Sequence, residues 1–232
     1  AYGIVDTIDE YAEAVTPLYG QLATDDPFVP PPDLIGPSSL PTGAAFAIPR
    51  ALAFDGEDDG QIEVGHFAAM EQANGTITLS FTAAETGGSN ALFSKDYSHQ
   101  DIPGHLTAWV KNGRLEVRLQ SEDKSEYLRS AKNAIQEGQE HDVAISFGAA
   151  GFQLYLDGVL VDQEIGFTQG LADNDLSLVL GASGAHRRDN RPLDAHDEFD
   201  GVISDFTVYG SQLPAEQIAL LGQDPVADPV IV

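Results

Sequence analysis

Alternating hydrophobic and polar residues dominate the chain from residue 44 to residue 210. In the segment "RLEVRLQ", Leu115, Val117 and Leu119 alternate with polar residues, and this period of two places successive side chains on opposite faces of a β-strand. Similar short runs follow along this region, separated by Gly, Asp, Asn and Ser. No long helical patterns lie between them, so the pattern predicts an antiparallel β-sandwich or barrel of about a dozen strands, and not a parallel α/β sheet.

Two hairpins are predicted by their turn residues. Asn112-Gly113 separates "LTAWVK" from "RLEVRL", and Asp157-Gly158 separates "FQLYL" from "VLVDQ". Both dipeptides tolerate the positive φ angles of a two-residue type I′ turn. We therefore expect each pair of runs to form adjacent antiparallel strands.

The two ends of the chain have a different texture. Residues 1–24 carry apolar residues at mixed helical spacing, which predicts a short amphipathic helix. Residues 25–43 are rich in Pro and Ser and predict an extended lead-in or linker. Residues 213–222, "LPAEQIALLG", predict one short C-terminal helix with Pro214 near its first turn and Gly222 as its stop. The expected organisation is a lead-in over 1–43, a sandwich domain over 44–222 and a tail over 223–232.

The charge of the chain is strongly negative, with 37 acidic and 11 basic residues and a formal net charge of −26. Such a charge repels nucleic-acid phosphates and anionic lipid headgroups. No apolar run approaches the roughly 20 residues that span a bilayer, so neither nucleic acid nor membrane insertion is expected. The acid excess suits a salty or calcium-containing medium, or serves simply to keep the surface soluble.

Cysteine is absent, which excludes disulfides, zinc-thiolate sites and thiol nucleophiles. The sequence begins "AYGIVDTIDE", with neither an initiator Met nor the apolar core of a signal peptide. It therefore reads as a mature fragment or an excised domain.

Several phrases in order resemble the laminin G-like, or concanavalin A-like, jelly-roll domains of bacterial secreted proteins. They extend from about Ala45 to Leu221 and include "ALAFDGEDDGQIEV", "HDVAISFGAAGFQLYLDGVLVD" and "FDGVISDFTVYGSQLPAEQIALL". The resemblance implies an all-β jelly-roll sandwich in which the two "FDG" turns, at residues 54–56 and 199–201, are neighbours in one sheet. It also implies a secreted, non-catalytic module for glycan recognition or adhesion, often with a structural calcium ion. Where the family usually has an acidic pair after the isoleucine of the last strand, Ile203 is followed by Ser204 and Asp205.

A calcium site is the first candidate functional site. Calcium takes six to eight oxygen ligands from carboxylates and loop carbonyls, and "DGEDDG", residues 55–60, is a turn of acids and glycines. If the sandwich brings the two "FDG" turns together, the predicted ligands are Asp55 and Asp200, followed by Asp58 and Asp59. The alternative is a solvated acidic turn without an ion.

Catalysis has no signature in this sequence. The laminarinase-type spacing Glu-x-Asp-x-x-Glu is absent, although a glycosidase needs two carboxylates across a cleft. "GASGA" follows a strand pattern without a following helix, so it is not a nucleophile elbow. His186 and His196 lack a usual zinc spacing. We therefore expect no enzyme activity.

Two loops carry the chemistry of glycan recognition. Sugar sites combine aromatic faces with planar hydrogen-bonding groups, and arginine matches the carboxylate or sulfate of acidic sugars. The only tryptophan, Trp109, lies on a predicted strand, where a core position is expected. For the arginines, the alternative is pairing with nearby Asp189, Asp194 and Asp197. The predicted ligand-binding residues are Tyr97 and His99 in one loop, and Arg187, Arg188, Asn190 and Arg191 in the other.

The predicted function is a glycan-binding or adhesion module of a secreted protein, with an acidic or neutral polysaccharide or glycoconjugate as its partner. One alternative is a structural or protein-interaction domain whose partner is a protein surface. The other is a polysaccharide-degrading glycosidase or lyase on the same fold.

Overall fold

The computed structural model describes residues 43–48, 50–57, 60–66, 68–96, 103–185 and 194–221. The predicted N-terminal helix, most of the Pro-rich lead-in and the tail lie outside these residues. Within them the chain forms strands β1 to β15, a 3₁₀ turn at Ala68–Met70 and one helix, α1, at Ala215–Ile218. The strands are β1 Ala44–Ile48, β2 Leu52–Asp55, β3 Ile62–Val64, β4 Gly75–Ala83, β5 Ser89–Lys95, β6 Leu106–Lys111, β7 Leu115–Gln120, β8 Ser125–Arg129, β9 Glu140–Phe147, β10 Phe152–Leu156, β11 Val159–Glu164, β12 Leu178–Leu180, β13 Ser183–Ala185, β14 Asp194–His196 and β15 Asp200–Tyr209.

Two antiparallel sheets pack face to face, as the alternation predicts. The seven-stranded sheet has the order β1-β15-β4-β9-β10-β11, with β2 also paired to β15. The six-stranded sheet has the order β3-β12-β5-β6-β7-β8. A two-stranded ribbon, β13-β14, accompanies them. The fold is an all-β sandwich of the predicted class with one short C-terminal helix.

The core lies between the inward faces of the two sheets. Leu115, Val117 and Leu119 are fully buried, as their alternation predicts. Across the core, the ring of Phe93 from the six-stranded sheet meets the ring of Phe206 from the seven-stranded sheet edge to face, with centroids 5.3 Å apart. Burial of this continuous apolar layer is the main stabilising contribution to the fold.

Both predicted hairpins are confirmed. Asn112 and Gly113 have φ angles of 49° and 73°, and Asp157 and Gly158 have φ angles of 51° and 74°. These pairs connect β6 to β7 and β10 to β11, which are antiparallel neighbours. The turn residues set the register locally because a type I′ turn matches the twist of the strands that it joins.

The two "FDG" turns are neighbours in the seven-stranded sheet, as the resemblance implies. Asp200 is the Cα partner of Asp55, and Gly201 is the partner of Phe54. Gly201 has a φ of 147°, and a Cβ there would lie 2.2 Å from the carbonyl oxygen of Thr82. Glycine is required because the neighbouring strand passes directly against its Cα.

The structure corrects the sequence predictions at two places. The predicted loop that carries Arg187, Arg188, Asn190 and Arg191 extends to His196, but Asp194–His196 pairs with Ser183–Ala185 as β14. The helix predicted over residues 213–222 is regular only at Ala215–Ile218, and Pro214 is its extended N-cap with ψ 150°. Pro214 therefore lies next to the first turn, as predicted, and its neighbour Leu213 is buried in the apolar cluster under α1. No helix among the described residues is long and apolar enough to cross a membrane.

Candidate functional site

The outward side of the six-stranded sheet carries a compact group of charged and aromatic side chains. On β6, Leu106, Ala108 and Val110 belong to the core, so the alternate residues point outward. The same alternation exposes the polar residues of β7 and β8, and the register sets Trp109 opposite Glu116. We call this surface the six-stranded face and define it by Thr107, Trp109, Lys111, Glu116, Arg118 and Arg129.

Trp109 lies at the centre of the six-stranded face and is covered by its neighbours. Only 6% of its surface is exposed, and its Nε1 donates a hydrogen bond of 3.1 Å to Oδ2 of Asp197. The Nζ of Lys111 lies 4.1 Å from a ring centroid of the indole, and Cζ of Arg118 lies 5.8 Å from one, within the range of cation–π attraction. Trp109 is therefore buried, as expected, but on the outer side of the sheet and not in the apolar layer between the two sheets.

Glu116 joins two of the cations of this face. Its carboxylate accepts hydrogen bonds from Nζ of Lys111 at 2.9 Å and from Nε of Arg129 at 2.6 Å. Burial acts to raise the pKa of Glu116, but the hydrogen bonds and positive charges of Lys111 and Arg129 outweigh it and lower the pKa. Glu116 therefore holds both cations in place beside the indole.

Asp96 performs the same role on the other side of Trp109. Its Oδ2 accepts hydrogen bonds from the Arg118 guanidinium and, at 3.2 Å, from Oγ1 of Thr107. Its Oδ1 lies 3.1 Å from Nδ1 of His105, whose side chain is 1% exposed. Charge-assisted bonds of this kind fix the orientation of a guanidinium. Arg118 is thus held over the edge of Trp109.

A buried lysine anchors the strand end from which this network extends. Lys95 is 1% exposed and its Nζ donates to the carbonyl oxygen of Asn174 and, at 3.0 Å, to the side-chain Oδ1 of Asn174. The Asn174 amide in turn donates to the carbonyl oxygens of Lys95 and Gly104, at 3.1 and 2.7 Å. Burial lowers the pKa of Lys95 from its usual 10.5 to about 7, although the charges of Glu71 and Asp175 act to raise it.

Both segments with predicted ligand residues connect to the six-stranded face. Tyr97 and His99 lie outside the described residues, in the segment that follows Asp96. Their predicted role stays a prediction. The described end of this segment is part of the network, since Asp96 contacts Arg118 and Thr107.

The second segment joins the two strands of the ribbon. Arg187, Arg188, Asn190 and Arg191 also lie outside the described residues, between the paired residues Ala185 and Asp194. The ribbon packs beside β5, where the backbone N–H of Gly184 donates to Oγ of Ser94 at 2.8 Å. After the ribbon, Asp197 accepts the indole hydrogen bond, and its carbonyl oxygen accepts from the N–H of Ala91 at 2.7 Å. The ribbon is therefore anchored beside β5, and the residue that directly follows it contacts Trp109.

The predicted calcium ligands are only partly described. Asp55 and Asp200 are brought together as Cα partners, whereas Asp58 and Asp59 lie outside the described residues. Oδ1 of Asp55 accepts a hydrogen bond of 3.1 Å from the N–H of Glu57, and a Cβ on Gly60 would lie 2.8 Å from that oxygen. Among the residues that the structure describes, no group of three or more His, Asp or Glu is close enough to hold a metal ion. The calcium prediction stays a prediction.

Sequence reasoning missed the residues that organise the six-stranded face. Asp96, Arg118 and Asp197 are distant in sequence, so no local motif unites them. The outward positions of "RLEVRLQ" carried part of the signal, because alternation already assigned Glu116 and Arg118 to the polar side of β7.

Comparison with known proteins agrees with this architecture. No curated protein matches the chain. The carbohydrate-binding module CBM40 of the Ruminococcus gnavus IT-sialidase, bound to alpha2,3 sialyllactose, is similar with a TM-score of 0.58 and 17% identity, over 78% of this chain and 100% of that one. The receptor binding domain of botulinum neurotoxin D is similar with a TM-score of 0.56 and 16% identity, over 73% of this chain and 42% of that one.

A third similar structure is domain 4 of AbnA, an extracellular GH43 arabinanase from Geobacillus stearothermophilus, in complex with arabinotriose. Its TM-score is 0.54 and its identity 18%, over 75% of this chain and 76% of that one. At these identities the likeness shows the fold. A family model covers residues 55–219, most of the chain, and its description is the concanavalin A-like lectin/glucanases superfamily. This chain belongs to the concanavalin A-like lectin/glucanase superfamily.

Proposed function

We propose that this protein is a non-catalytic glycan-binding module of a secreted protein and that the glycan binds at the six-stranded face. The observation that supports the proposal is that a residue flanking each candidate ligand segment belongs to the network around Trp109: Asp96 precedes one segment and Asp197 follows the other. Such a site combines an aromatic residue with oriented charged donors. Similar structures that contain sialyllactose and arabinotriose support a saccharide as the ligand.

The charge balance of this face favours a role for the neighbouring arginines. Three cations of the described network, Lys111, Arg118 and Arg129, are matched by the carboxylates of Asp96, Glu116 and Asp197. The network alone therefore offers no excess positive charge to an acidic sugar. Asp197, which could pair with the arginines internally, already accepts a hydrogen bond from the indole. For a carboxylated or sulfated glycan we assign the attracting charge to Arg187, Arg188 and Arg191.

A glycan array with sialylated, uronate-containing and sulfated saccharides tests this proposal. We expect binding to an acidic glycan, and we expect the Arg187→Ala/Arg188→Ala variant to weaken it at least about tenfold, because arginine–carboxylate pairs are strong and directional. The glycan that binds is then titrated into the protein, and binding is followed by the fluorescence of Trp109, the chain's single tryptophan. Lys124→Ala/Lys132→Ala is the matched control, since it removes the same charge from residues outside the network.

Three outcomes would contradict this assignment. Equal binding by the arginine variant and the control variant would move the site away from residues 186–193. No binding to any glycan would favour a structural or protein-interaction domain. Release of reducing ends, or of unsaturated uronate absorbance, from a polysaccharide would replace the binding module with an enzyme.

A structural calcium ion is a second part of the proposal. It is supported by the pairing of Asp55 with Asp200 in adjacent strands and by the acidic turn at residues 55–60, since calcium prefers several carboxylate and carbonyl oxygens. Asp58 and Asp59 would supply further oxygens. The ion would tie the first and last strands of the domain together.

A further inference from the structure

The outward side of the seven-stranded sheet contains a groove of about 260 Å³, distant from the network around Trp109. Its floor is formed by outward residues of the central strands β4, β9 and β15. One end is apolar, where Tyr209 belongs to the cluster under α1 together with Leu221. The polar residues that line the groove are Thr78, Ser80, Asp142, Asp205, Thr207 and Tyr209.

The polar groups of this groove are mainly acceptors. The hydroxyl of Ser80 donates its proton to Oδ1 of Asp142 at 2.6 Å, and the hydroxyl of Thr207 donates to the carbonyl oxygen of Asp205 at 3.0 Å. A hydroxyl has a single proton to donate, so both oxygens face the groove as acceptors. Together with the two carboxylates they favour a ligand that is rich in donors.

The backbone bends to place Asp205 at the groove. The register between β15 and β4 shifts between Ser204 and Thr207, and Asp205 has a φ of 54°. A positive φ at a residue other than glycine costs free energy, and bulges redirect side chains at functional sites. The bulge brings the exposed Asp205 of β15 to the same groove as Asp142 of β9, and β4 lies between these two strands.

Among the described residues, the lining of the groove carries negative charge without a compensating cation. Its described lining includes Asp142 and Asp205 but no Lys or Arg. The oxygen-rich end therefore attracts a cation, while Tyr209, which is 2% exposed, closes the apolar end. Burial raises the pKa of the Tyr209 hydroxyl, and the side chain of Thr78, which hydrogen-bonds it, acts to lower that pKa. A ligand that fits must combine an ammonium group with hydroxyls and a carbon framework.

We propose that this groove is a second binding site, for a single amino sugar residue with a free ammonium group. The ammonium would bind the carboxylates of Asp142 and Asp205, and the sugar hydroxyls would donate to the oxygens of Ser80 and Thr207. A volume of about 260 Å³ lies just below the roughly 300 Å³ at which ordinary ligand pockets begin, which suits one sugar residue and not an oligosaccharide. This site is independent of the six-stranded face.

Calorimetric titration with glucosamine in mildly acidic buffer tests the proposal, with glucose, N-acetylglucosamine and methylamine as comparison ligands. We expect glucosamine to bind more tightly than the other three, because it alone supplies both the charge and the hydroxyls. Asp205→Asn and Asp142→Asn should each weaken glucosamine binding about three- to tenfold, since each removes a charge-assisted bond. Asp173→Asn is the matched control, because Asp173 is also an exposed aspartate with a positive φ, of 65°.

The position of the only tryptophan separates the two sites. Trp109 lies on the six-stranded sheet, so glucosamine in the groove should leave its fluorescence unchanged. Quenching by glucosamine would place that ligand on the six-stranded face and overturn the assignment. Equal affinity for glucose, N-acetylglucosamine or methylamine, or equal affinity of Asp205→Asn and Asp173→Asn for glucosamine, would also overturn it. Failure of the acidic-glycan experiment would leave this test unaffected.

Discussion

The two outer faces of the sandwich differ in chemistry although one alternating pattern builds both. On the six-stranded face, cations surround Trp109 and are held by Asp96, Glu116 and Asp197. On the seven-stranded face, hydroxyls and carboxylates line a groove without Lys or Arg among its described residues. The shared core requires only that alternate positions be apolar. The outward positions are therefore free to differ: the charges of the network around Trp109 are balanced, whereas the described lining of the groove is acidic.

The largest expected effect is a loss of stability from a substitution in the framework that both faces share. Gly181 lies where the chain leaves β12 for the ribbon beside Trp109; its φ is +79°, and a Cβ would lie 2.2 Å from Cδ1 of Phe54. Gly181→Ala should lower the free energy of unfolding by about 3 kcal/mol, from backbone strain and overpacking. Gly87→Ala is the control, because nothing lies within 4 Å of its Cβ position. Urea unfolding measures both, and equal stability of the two variants would contradict this account.

Calcium is expected to stabilise the seven-stranded side of the molecule. An ion held by Asp55 and Asp200 would bind the folded state alone and raise its stability by about 2–3 kcal/mol at a calcium concentration one hundred times Kd. Thermal unfolding with calcium and with chelator should therefore differ for the natural sequence, and the difference should vanish in Asp55→Asn/Asp200→Asn. Asp123→Asn/Asp173→Asn, which changes two other aspartates, should keep it. Overlapping curves for the natural sequence would remove the ion from the account.

A pH dependence should mark the six-stranded side. The pKa of Lys95 is about 7 in the folded protein, against an ordinary value of 10.5, so the unfolded chain binds more protons between these values. Stability from this lysine should therefore rise with pH, by up to about 1 kcal/mol per pH unit above pH 7. Burial also lowers the pKa of nearby His66, and the charge of Lys95 lowers it further, although the charges of Glu71 and Asp175 act to raise it. His66 should therefore also make stability rise with pH, at lower pH than Lys95 does.

Lys95→Met isolates this contribution. The difference in unfolding free energy between the natural sequence and Lys95→Met should change by this slope between pH 7 and pH 9. Lys132→Met is the control, because it makes the same substitution at an exposed lysine. Parallel stability curves for the natural sequence and Lys95→Met would show that the buried amine does not titrate in this range.

Local chemistry explains what could be predicted from the sequence. The turns at Asn112-Gly113 and Asp157-Gly158 were predictable because the φ preference of two residues sets the hairpin. The strands were predictable because burial of one face requires alternation. The neighbourhood of Asp55 and Asp200 followed only from the family resemblance, since nothing in either segment specifies its partner.

The networks could not be predicted because they depend on register between distant strands. Lys95 shows this most clearly. A register shift between Ala91 and Phe93 reverses the side on which the following residues lie, so Lys95 points inward to Asn174, where strict alternation after buried Leu92 would have exposed it. The bulge at Asp205 likewise redirects a side chain. The sequence signals this place only by the neighbouring Ser204, which departs from the acidic pair of the family pattern.

The sequence by itself determined the strands, their two faces and the turns, because these depend on a residue and its immediate neighbours. It also determined the acidic charge and the absence of cysteine chemistry. Only the tertiary structure decided that Arg118 meets Asp96, that Asp197 closes over Trp109 and that Asp142 and Asp205 share one groove. Each of these contacts joins residues from different strands, and their distance is set by sheet register and bulges, which arise from packing of the whole sandwich.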